Sequence, residues 1–445
     1  MHSPSSAGYW SEVETWPRDR IAEFQLAALR RQLAHVGTNS AYYKAAWAGL
    51  GFEPGDLRSL DDLRALPFVR KTDYVADLAE RGPWGSMLAV PLDDVVRVHF
   101  SSGTTSSPAP VCWTQADLDR WADLYARFAY SQGVRRTDVY QALFGFAWFV
   151  GGLGVTAAYG RIGCTVIPGG SADTERQIDV MARYGATAVS GTPSFMLHLA
   201  ETAERLGRPL RDNRVRRVQV GGEPGGCIPE TRALIEERWG AKVFDGYGSL
   251  EFQPIAWECE EQAGGHVAED FVHAEVVDVE SGVPVPDGEP GVLVLTHLDK
   301  RATPFVRWWT GDVVVRDTSP CACGRTHGRL RGGVLGRADD MLVVRGVNFF
   351  PSSVESLVRG TPGATGEYVI VIDEDVVDRA TGYLTGVKVR LETEDGAAEA
   401  AVERLAHAIR AELTVRAVIE PVPSGSLARS THKAKRLVRE IRPKE

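Results

Sequence analysis

Residues 164–222 read CTVIPGGSADTERQIDVMARYGATAVSGTPSFMLHLAETAERLGRPLRDNRVRRVQVGG, and this stretch decides the fold. Three short apolar runs, CTVIP, ATAVSGT and VRRVQVGG, alternate with two longer segments in which apolar and charged residues recur at helical spacing. A strand, helix, strand, helix, strand order predicts a parallel sheet, because parallel strands need a crossover connection. Functional loops of such a sheet lie at the carboxyl ends of its strands.

The flanking sequence extends this pattern in both directions. Residues 17–36 carry apolar side chains at near-helical spacing, which predicts an amphipathic helix. Residues 272–316 alternate apolar and polar side chains between Gly and Pro turns, which predicts antiparallel strands. After Gly336 a compact α+β pattern begins. We therefore expect an α/β fold with a large domain (1–336) of parallel sheets and an antiparallel β subdomain, and a small α+β domain (337–445).

Composition bounds the function of the chain. Its 445 residues include 50 Lys and Arg against 59 Asp and Glu, a net charge of −9 that disfavours non-specific binding to nucleic acid or anionic lipid. Six unevenly spaced cysteines and an N-terminus without a secretory signal favour the cytoplasm. Residues 141–159 carry no charge, but their glycines and the strand that follows favour a buried βαβ unit over a membrane span.

A loop of small hydroxyl residues follows the strand-like VVRVHF. It reads SSGTTSSP at 101–108, and backbone N–H groups and hydroxyls in such a loop can converge on phosphate oxygens. A polar surface turn has the same composition, so the loop alone leaves both interpretations open.

Four further motifs, in order along the chain, point to one family. They are FDGYGSLE at 244–251, RWWTGDV at 307–313, GRADDMLVVRG at 336–346 and RSTHKAKR at 429–436. Together with the hydroxyl loop they resemble the core motifs of the adenylate-forming superfamily over nearly the whole chain. The segments GGEP at 221–224, TERQ at 174–177 and GVNFFP at 346–351 resemble its phenylacetate-CoA ligase branch.

This resemblance implies a nucleotide site. Ser102, Gly103, Thr104 and Thr105 would hold the β- and γ-phosphates, with Thr104 close to the reacting groups. An aromatic plane for adenine, a carboxylate for the ribose diol and a carboxylate for Mg²⁺ are what a nucleotide needs, and Tyr247, Asp312 and Glu251 would supply them. The adenine side would be lined by Gly222, Glu223, Asp245, Gly248 and Ser249.

The resemblance also implies a mobile C-terminal lid. Arg337 would lie near the ribose and phosphate, and Asp339 would be the hinge of the lid. Lys433 would approach the α-phosphate and the acid oxygens, where a fixed ammonium offsets the charge that migrates to pyrophosphate. Arg345 and Gly346 would face the acceptor tunnel once the lid has turned. Without the other motifs, Lys433 would be assigned to a solvated basic tail.

Four positions depart from the family pattern. Ser106 stands where the family has Gly, and Ala109 stands where it has Lys. Trp309 replaces an Arg, and His432 replaces the Gly before the lid lysine. The missing Lys at position 109 removes one cation near pyrophosphate, while the backbone donors of the loop remain. The changes at positions 309 and 432 bear on how tightly the lid closes.

A metal site is predicted from four separate residues. Cys259, His266, Cys321 and Cys323 form a Cys₃His set whose spacing suits tetrahedral Zn²⁺, with His327 as a reserve ligand. Because all four ligands would come from the protein, the metal would be structural. Free buried cysteine is the alternative, and it is the interpretation for the other three cysteines.

The acid pocket would lie beside the Gly-rich segment at 144–154. Phe146, Trp148, Phe149 and Gly152 are candidates to line it, and an aromatic slot favours a flat aryl or arylalkanoic acid. These aromatic residues could equally belong to the core.

We therefore expect ATP-dependent formation of an acyl-adenylate, release of pyrophosphate and transfer to a thiol, with coenzyme A as the default acceptor. A carrier protein or an amine is the alternative acceptor, and nitrite-dependent diazotisation of an aryl amine is an alternative reaction. A non-catalytic nucleotide-binding protein is the alternative from another class. A homodimer would be ordinary for this branch.

Substitution of the lid lysine tests its role. Lys433→Ala should slow acid-dependent pyrophosphate release far more than it slows capture of preformed adenylate, because the ammonium acts only while pyrophosphate departs. The two half-reactions are measured separately. Equal losses in both would remove Lys433 from adenylation.

Overall fold

The computed structural model describes residues 8–100, 109–146, 148, 150–345, 347–378, 381, 383–428 and 436–440. The helices of these residues are α1 (Arg18–Asn39), α2 (Ala41–Trp47), α3 (Lys71–Arg81), α4 (Gln115–Ser131), α5 (Val150–Ile162), α6 (Thr174–Tyr184), α7 (Pro193–Arg205), α8 (Pro229–Trp239), α9 (Pro351–Arg359) and α10 (Ala398–Leu413). Short 3₁₀ turns lie at Glu12–Thr15, Pro54–Asp56, Leu60–Ala65, Leu92–Asp94 and Leu210–Asp212.

The strands of the N-terminal region are β1 (Arg97–Phe100), β2 (Pro110–Trp113), β3 (Val139–Ala142), β4 (Thr165–Ile167), β5 (Ala188–Gly191), β6 (Arg217–Gly221), β7 (Lys242–Tyr247), β8 (Ala256–Trp257), β9 (Gly265–Val267), β10 (Val272–Val277), β11 (Pro290–His297), β12 (Trp308–Asp317) and β13 (Arg329–Arg337). The strands that follow are β14 (Leu342–Val344), β15 (Val347–Phe349), β16 (Ala364–Ile372), β17 (Val387–Thr393), β18 (Ala417–Pro423) and β19 (Leu437–Arg439).

One mixed sheet organises the N-terminal region. Its strand order is β10-β11-β12-β13-β9-β8-β7-β6-β5-β3-β4. Strands β3 to β7 pair in parallel, and the predicted alternation of strands and helices is confirmed there. Strands β10 to β12 pair antiparallel, as the period-two pattern at 272–316 predicts, and β13 continues this pairing. The short strands β8 and β9 join the two halves, so the antiparallel part extends the parallel sheet.

The C-terminal region has its own sheet and its own core. Strands β18, β17, β16 and β19 form a four-stranded sheet in that order. Helices α9 and α10 cover it through buried side chains such as Val354, Leu405 and Ile409, which join one apolar cluster with the strands. This is the compact α+β unit that the sequence predicts after Gly336.

Helix α1 covers the antiparallel end of the large sheet. It matches the amphipathic helix predicted at 17–36, and Ile21, Leu29, Leu33 and Val36 are buried along it. The uncharged segment around residue 150 forms α5, which packs against α4. Among the residues that the structure describes, every helix is too short or too polar to cross a membrane.

A buried ion pair ties α4 to the loop before β10. Arg127 donates two hydrogen bonds of 2.7 Å to Asp270, and Arg120 donates a third of 2.7 Å. Burial alone would raise the pKa of Asp270, yet the charges of Arg127 and Arg120 hold it well below its usual range. The stability that this pair contributes is therefore present above the unfolded pKa of about 4 and is lost as pH falls through the folded pKa.

Asp270→Asn should lower thermal stability strongly, because it leaves Arg127 buried beside a neutral partner. Breaking one side of a buried pair costs about 3–5 kcal/mol, so we expect the melting temperature to fall by several degrees at pH 7. The exposed Asp119 on the same helix is the matched control, and Asp119→Asn should leave the melting temperature nearly unchanged. Similar melting temperatures for the two variants would show that the buried pair contributes little.

Candidate active site

The carboxyl ends of β6 and β7 meet at one edge of the large sheet. The two strands pair in parallel, with Gly221 opposite Gly246. A Cβ atom on Gly221 would lie 2.6 Å from the Gly246 carbonyl oxygen, so the strands approach this closely only because position 221 has no side chain. The two predicted adenine-side segments, Gly222 with Glu223 and Tyr247 with Gly248 and Ser249, therefore emerge side by side.

A hydrogen-bonded cluster links this edge to the antiparallel strand β12. The Tyr247 hydroxyl donates to Asp312 Oδ2, and the Arg337 guanidinium lies 3.1 Å from Asp312 Oδ1. Arg337 also donates to both carboxylate oxygens of Asp339, at 2.9 and 3.1 Å. Burial, followed by the nearby Asp312 charge, raises the pKa of Tyr247 well above its usual value, so its hydroxyl remains a donor. The residues predicted for adenine, ribose and the hinge are thus linked by a continuous series of hydrogen bonds.

The carboxylate predicted to face Mg²⁺ already contacts a cation. Glu251 is 8% exposed, and the Lys71 ammonium at the start of α3 contacts its Oε1 atom. Next to it, the Arg70 guanidinium lies 4.2 Å from the ring centroid of Trp309, the residue that replaces a family Arg. The sequence analysis missed Lys71 and Arg70. The sequence does offer one indication of them, because Arg70 and Lys71 are adjacent cations in a chain that lacks the family Lys at position 109.

Behind the adenine edge lies a second carboxyl group with an altered proton affinity. Burial and the Glu258 charge raise the pKa of Asp245 to about 7. The Cys227 thiol donates to Asp245 Oδ2 at 3.1 Å, and Arg232 holds Glu258 through two hydrogen bonds of 2.8 Å. Asp245 can therefore accept or donate a hydrogen bond close to neutral pH. Cys227 was not predicted to contribute here.

The aromatic residues predicted for the acid pocket are divided between interior and surface. Phe146 packs against the main core, and a Cβ on Gly152 would lie 3.1 Å from its ring. Trp148 is 66% exposed, and its ring lies 6.1 Å from that of Phe100. The structure thus keeps Phe146 and Gly152 together and leaves the Trp148 side chain largely in solvent.

Several predicted site residues lie outside the described residues. They are Ser102, Gly103, Thr104, Thr105, Ser106, Phe149, Gly346, His432 and Lys433. Of the tunnel residues, Arg345 is described, and it is exposed with a φ of +49°. Ala109 is 2% exposed.

A separate cluster gathers the predicted metal ligands. One ligand atom from each of Cys259, His266, Cys321 and Cys323 lies within 4.8 Å of the others. The Cys259 and Cys321 sulfurs are 3.9 Å apart, and Cys323 Sγ lies 3.4 Å from His266 Nε2. A tetrahedral zinc ion would hold two sulfurs about 3.8 Å apart and a sulfur and a nitrogen about 3.5 Å apart. The donor set and its spacing therefore fit zinc.

The surroundings of this cluster orient its ligands. His266 Nδ1 lies 3.2 Å from the His327 carbonyl oxygen, which leaves Nε2 to face the sulfurs. Both ring nitrogens of His327 lie 3.0 Å from backbone carbonyls, those of Val267 and Val13. His327 therefore does not join the cluster, and its assignment as a reserve ligand was wrong.

Comparison with known proteins assigns the family. Residues 57–297 match the family of AMP-binding enzymes, and residues 346–440 match the AMP-binding enzyme C-terminal domain. The chain is 37% identical to a phenylacetate-coenzyme A ligase of Thermus thermophilus over 376 residues, which are 84% of this chain and 83% of that protein.

Solved structures agree with this match. 2-Hydroxyisobutyryl-CoA ligase in its postadenylation state, in complex with 2-HIB-AMP, superposes with a TM-score of 0.92 at 29% identity, covering 98% of this chain and 94% of that one. The same enzyme in its thioesterification state, with 2-HIB-AMP and CoA, gives a TM-score of 0.75 at 30% identity, covering 99% and 94%. The chain belongs to the AMP-binding, adenylate-forming enzyme family, in which it is an AMP-forming acyl-CoA ligase similar to phenylacetate-CoA ligases.

Proposed function

We propose that this enzyme activates an aryl or arylalkanoic acid with MgATP and transfers the acyl group to coenzyme A. The observation that carries the proposal is the chain of contacts from Tyr247 through Asp312 to Arg337 at the edge of the large sheet. It joins an aromatic ring, a carboxylate and a guanidinium in the order base, ribose and phosphate, which is the order of the parts of a nucleotide. Relatives that use phenylacetate support an aromatic acid.

The site residues keep the roles that the resemblance implies. Tyr247 stacks on adenine and Asp312 accepts the ribose hydroxyls, displacing the hydrogen bonds that it now receives. The hydroxyl loop, with Thr104, binds the outer phosphates, and Lys433 stabilises charge at the α-phosphate. Bound Mg²⁺ supplies neutralising charge to the phosphates, and Glu251 is the carboxylate that would hold it. Lys71 must yield part of its contact with Glu251 when the metal arrives.

We also propose the domain division at residue 337, with residues 337–445 as the lid. The higher TM-score against the postadenylation form than against the thioesterification form supports a lid that occupies the adenylate-holding arrangement here. Phe146 and Gly152 are proposed to form one wall of the acid pocket, and Arg345 and Gly346 to face the acceptor tunnel. A homodimer and a cytoplasmic location complete the proposal.

The decisive experiment is pyrophosphate release from MgATP by the purified enzyme. The panel contains aryl, arylalkanoic and short aliphatic acids, together with nitrite plus an aryl amine, before any thiol is added. We expect release with an aromatic acid, followed by thioester formation when coenzyme A is supplied. Release with an aliphatic acid alone would overturn the aromatic assignment, and release with nitrite and amine would favour diazotisation. Nucleotide binding without any release would favour a non-catalytic protein.

We propose that the Cys₃His cluster binds structural zinc. Zinc bound there supplies a fixed crosslink with four protein ligands and no open coordination position. The cluster also touches the N-terminal segment, because the Tyr9 hydroxyl donates to the Cys323 carbonyl and the Arg325 guanidinium donates to Glu14 at 2.6 Å. Zinc would therefore hold the start of the chain against the sheet.

Removal of one ligand tests the zinc site without relying on activity. Cys321→Ser should lower the zinc content, which we expect to be one ion per chain, and should speed trypsin cleavage near Arg18 and Arg20 as the N-terminal segment loosens. Cys227→Ser lies outside the cluster and is the control. Zinc content is measured by atomic emission. Full zinc content in Cys321→Ser, or no zinc in the unsubstituted enzyme, would refute this assignment.

A further inference from the structure

One contact between the lid and the large domain is made by two helices. Helix α9 of the lid packs on α8, and it is anchored in the lid by its buried residues Val354, Leu357 and Val358. The residues between these anchors on α9 are polar and turn toward the large domain. This face is not used by any step of the proposed reaction.

Two hydrogen bonds cross the contact between the helices. The Ser356 hydroxyl donates to Glu230 Oε2 at 2.9 Å, and the Thr231 hydroxyl donates to Glu355 Oε1 at 3.4 Å. Thr231 is 1% exposed and Glu355 is 7% exposed, so the second bond is buried. Both acceptors are carboxylates, which form stronger hydrogen bonds than neutral groups do.

A third contact lies next to the proposed hinge. Phe350, just before α9, packs with valines of the large sheet, including Val294 and Val313. A Cβ on Gly336 would lie 2.3 Å from the Phe350 ring, so the ring occupies space that a glycine leaves open. Gly336 and Phe350 lie on opposite sides of Asp339. A rotation about that residue therefore separates them, together with α8 and α9.

The contact is balanced between closing and opening. Its hydrogen bonds favour the closed arrangement. Burial, by contrast, raises the pKa of the Glu355 carboxyl group. The positive charges of Arg359 and Arg436 partly offset this rise, and the negative charges of Glu223 and Glu367 add to it. Glu355 also pairs with Arg359 on its own helix, at 3.8 Å, so the carboxylate keeps a charged partner when the contact opens, which lowers the cost of breaking the bond. A polar contact of this kind can form and release in each turnover, whereas a large apolar contact would hold the lid in one place.

We infer that the α8–α9 contact is a latch, in which Glu230, Ser356, Thr231 and Glu355 keep the lid in the adenylate-holding arrangement and release it for acyl transfer. The inference rests on the proposed two-step function. These four are positioning residues, because they act on the lid and not on the reacting atoms. Their removal should therefore affect the two half-reactions unequally.

A double-mutant cycle tests the latch. Ser356→Ala, Glu230→Ala and the double variant are compared with Ser353→Ala, a control on the same helix outside both bonds. Acid-dependent exchange of pyrophosphate into ATP should fall about 3- to 10-fold in each single variant and no further in the double variant, because one hydrogen bond is lost in all three. Capture of preformed adenylate by coenzyme A should be unchanged or faster.

Trypsin cleavage of the segment 337–345 provides a readout that needs no substrate. It should accelerate by a similar factor in the three latch variants and not in Ser353→Ala. Additive effects, equal slowing of both half-reactions, or unchanged cleavage would overturn the latch. If no acid is adenylated, the proposed function fails while the cleavage rates still decide on the latch.

Discussion

The close parallel pairing of β6 with β7 is the constraint on which the site depends. Gly221 and Gly246 face each other where any Cβ would meet backbone or the Trp257 ring, so the two strand ends converge at one point of the sheet edge. Because parallel strands deliver their following loops to the same edge, the residues proposed for the adenine side come from two separate motifs and still lie together. A larger spacing between β6 and β7 would move the residues after Gly221 away from the residues after Gly246.

The antiparallel half of the sheet contributes further residues to the same site. Asp312 lies on β12, and it reaches Tyr247 because β8 and β9 join the two halves into one sheet. Arg337, at the end of β13, then connects Asp312 to Asp339. With Asp312 proposed as the ribose carboxylate, a bound nucleotide would compete for the carboxylate that Arg337 contacts here. Under the proposed roles, ligand binding and lid position would therefore share one set of hydrogen bonds.

Rigid and movable parts of the chain are stabilised by different kinds of interaction. The N-terminal segment is held by the buried Arg325–Glu14 pair, by the buried His327 ring and by the half-buried Cys323 turn. Among the described residues, the proposed lid contacts the large domain through side-chain hydroxyl hydrogen bonds and the Phe350 ring. A body that is fixed by buried ion pairs and a lid that is held by hydroxyl–carboxylate bonds suit an enzyme in which one domain must turn against the other.

The sequence by itself determined the fold class, the alternation of strands and helices over 164–222, the four residues of the Cys₃His cluster and the family, because periodicity, glycine positions and ordered motifs are local properties of a chain. It did not identify Lys71 on Glu251, Arg70 over Trp309, Cys227 on Asp245 or the α8–α9 contact. Each of these joins residues far apart in the chain, such as positions 71 and 251. It also misassigned His327, whose ring nitrogens face carbonyls of two different segments. Only the tertiary structure decides such pairs, since packing of distant elements sets which polar groups share a buried space.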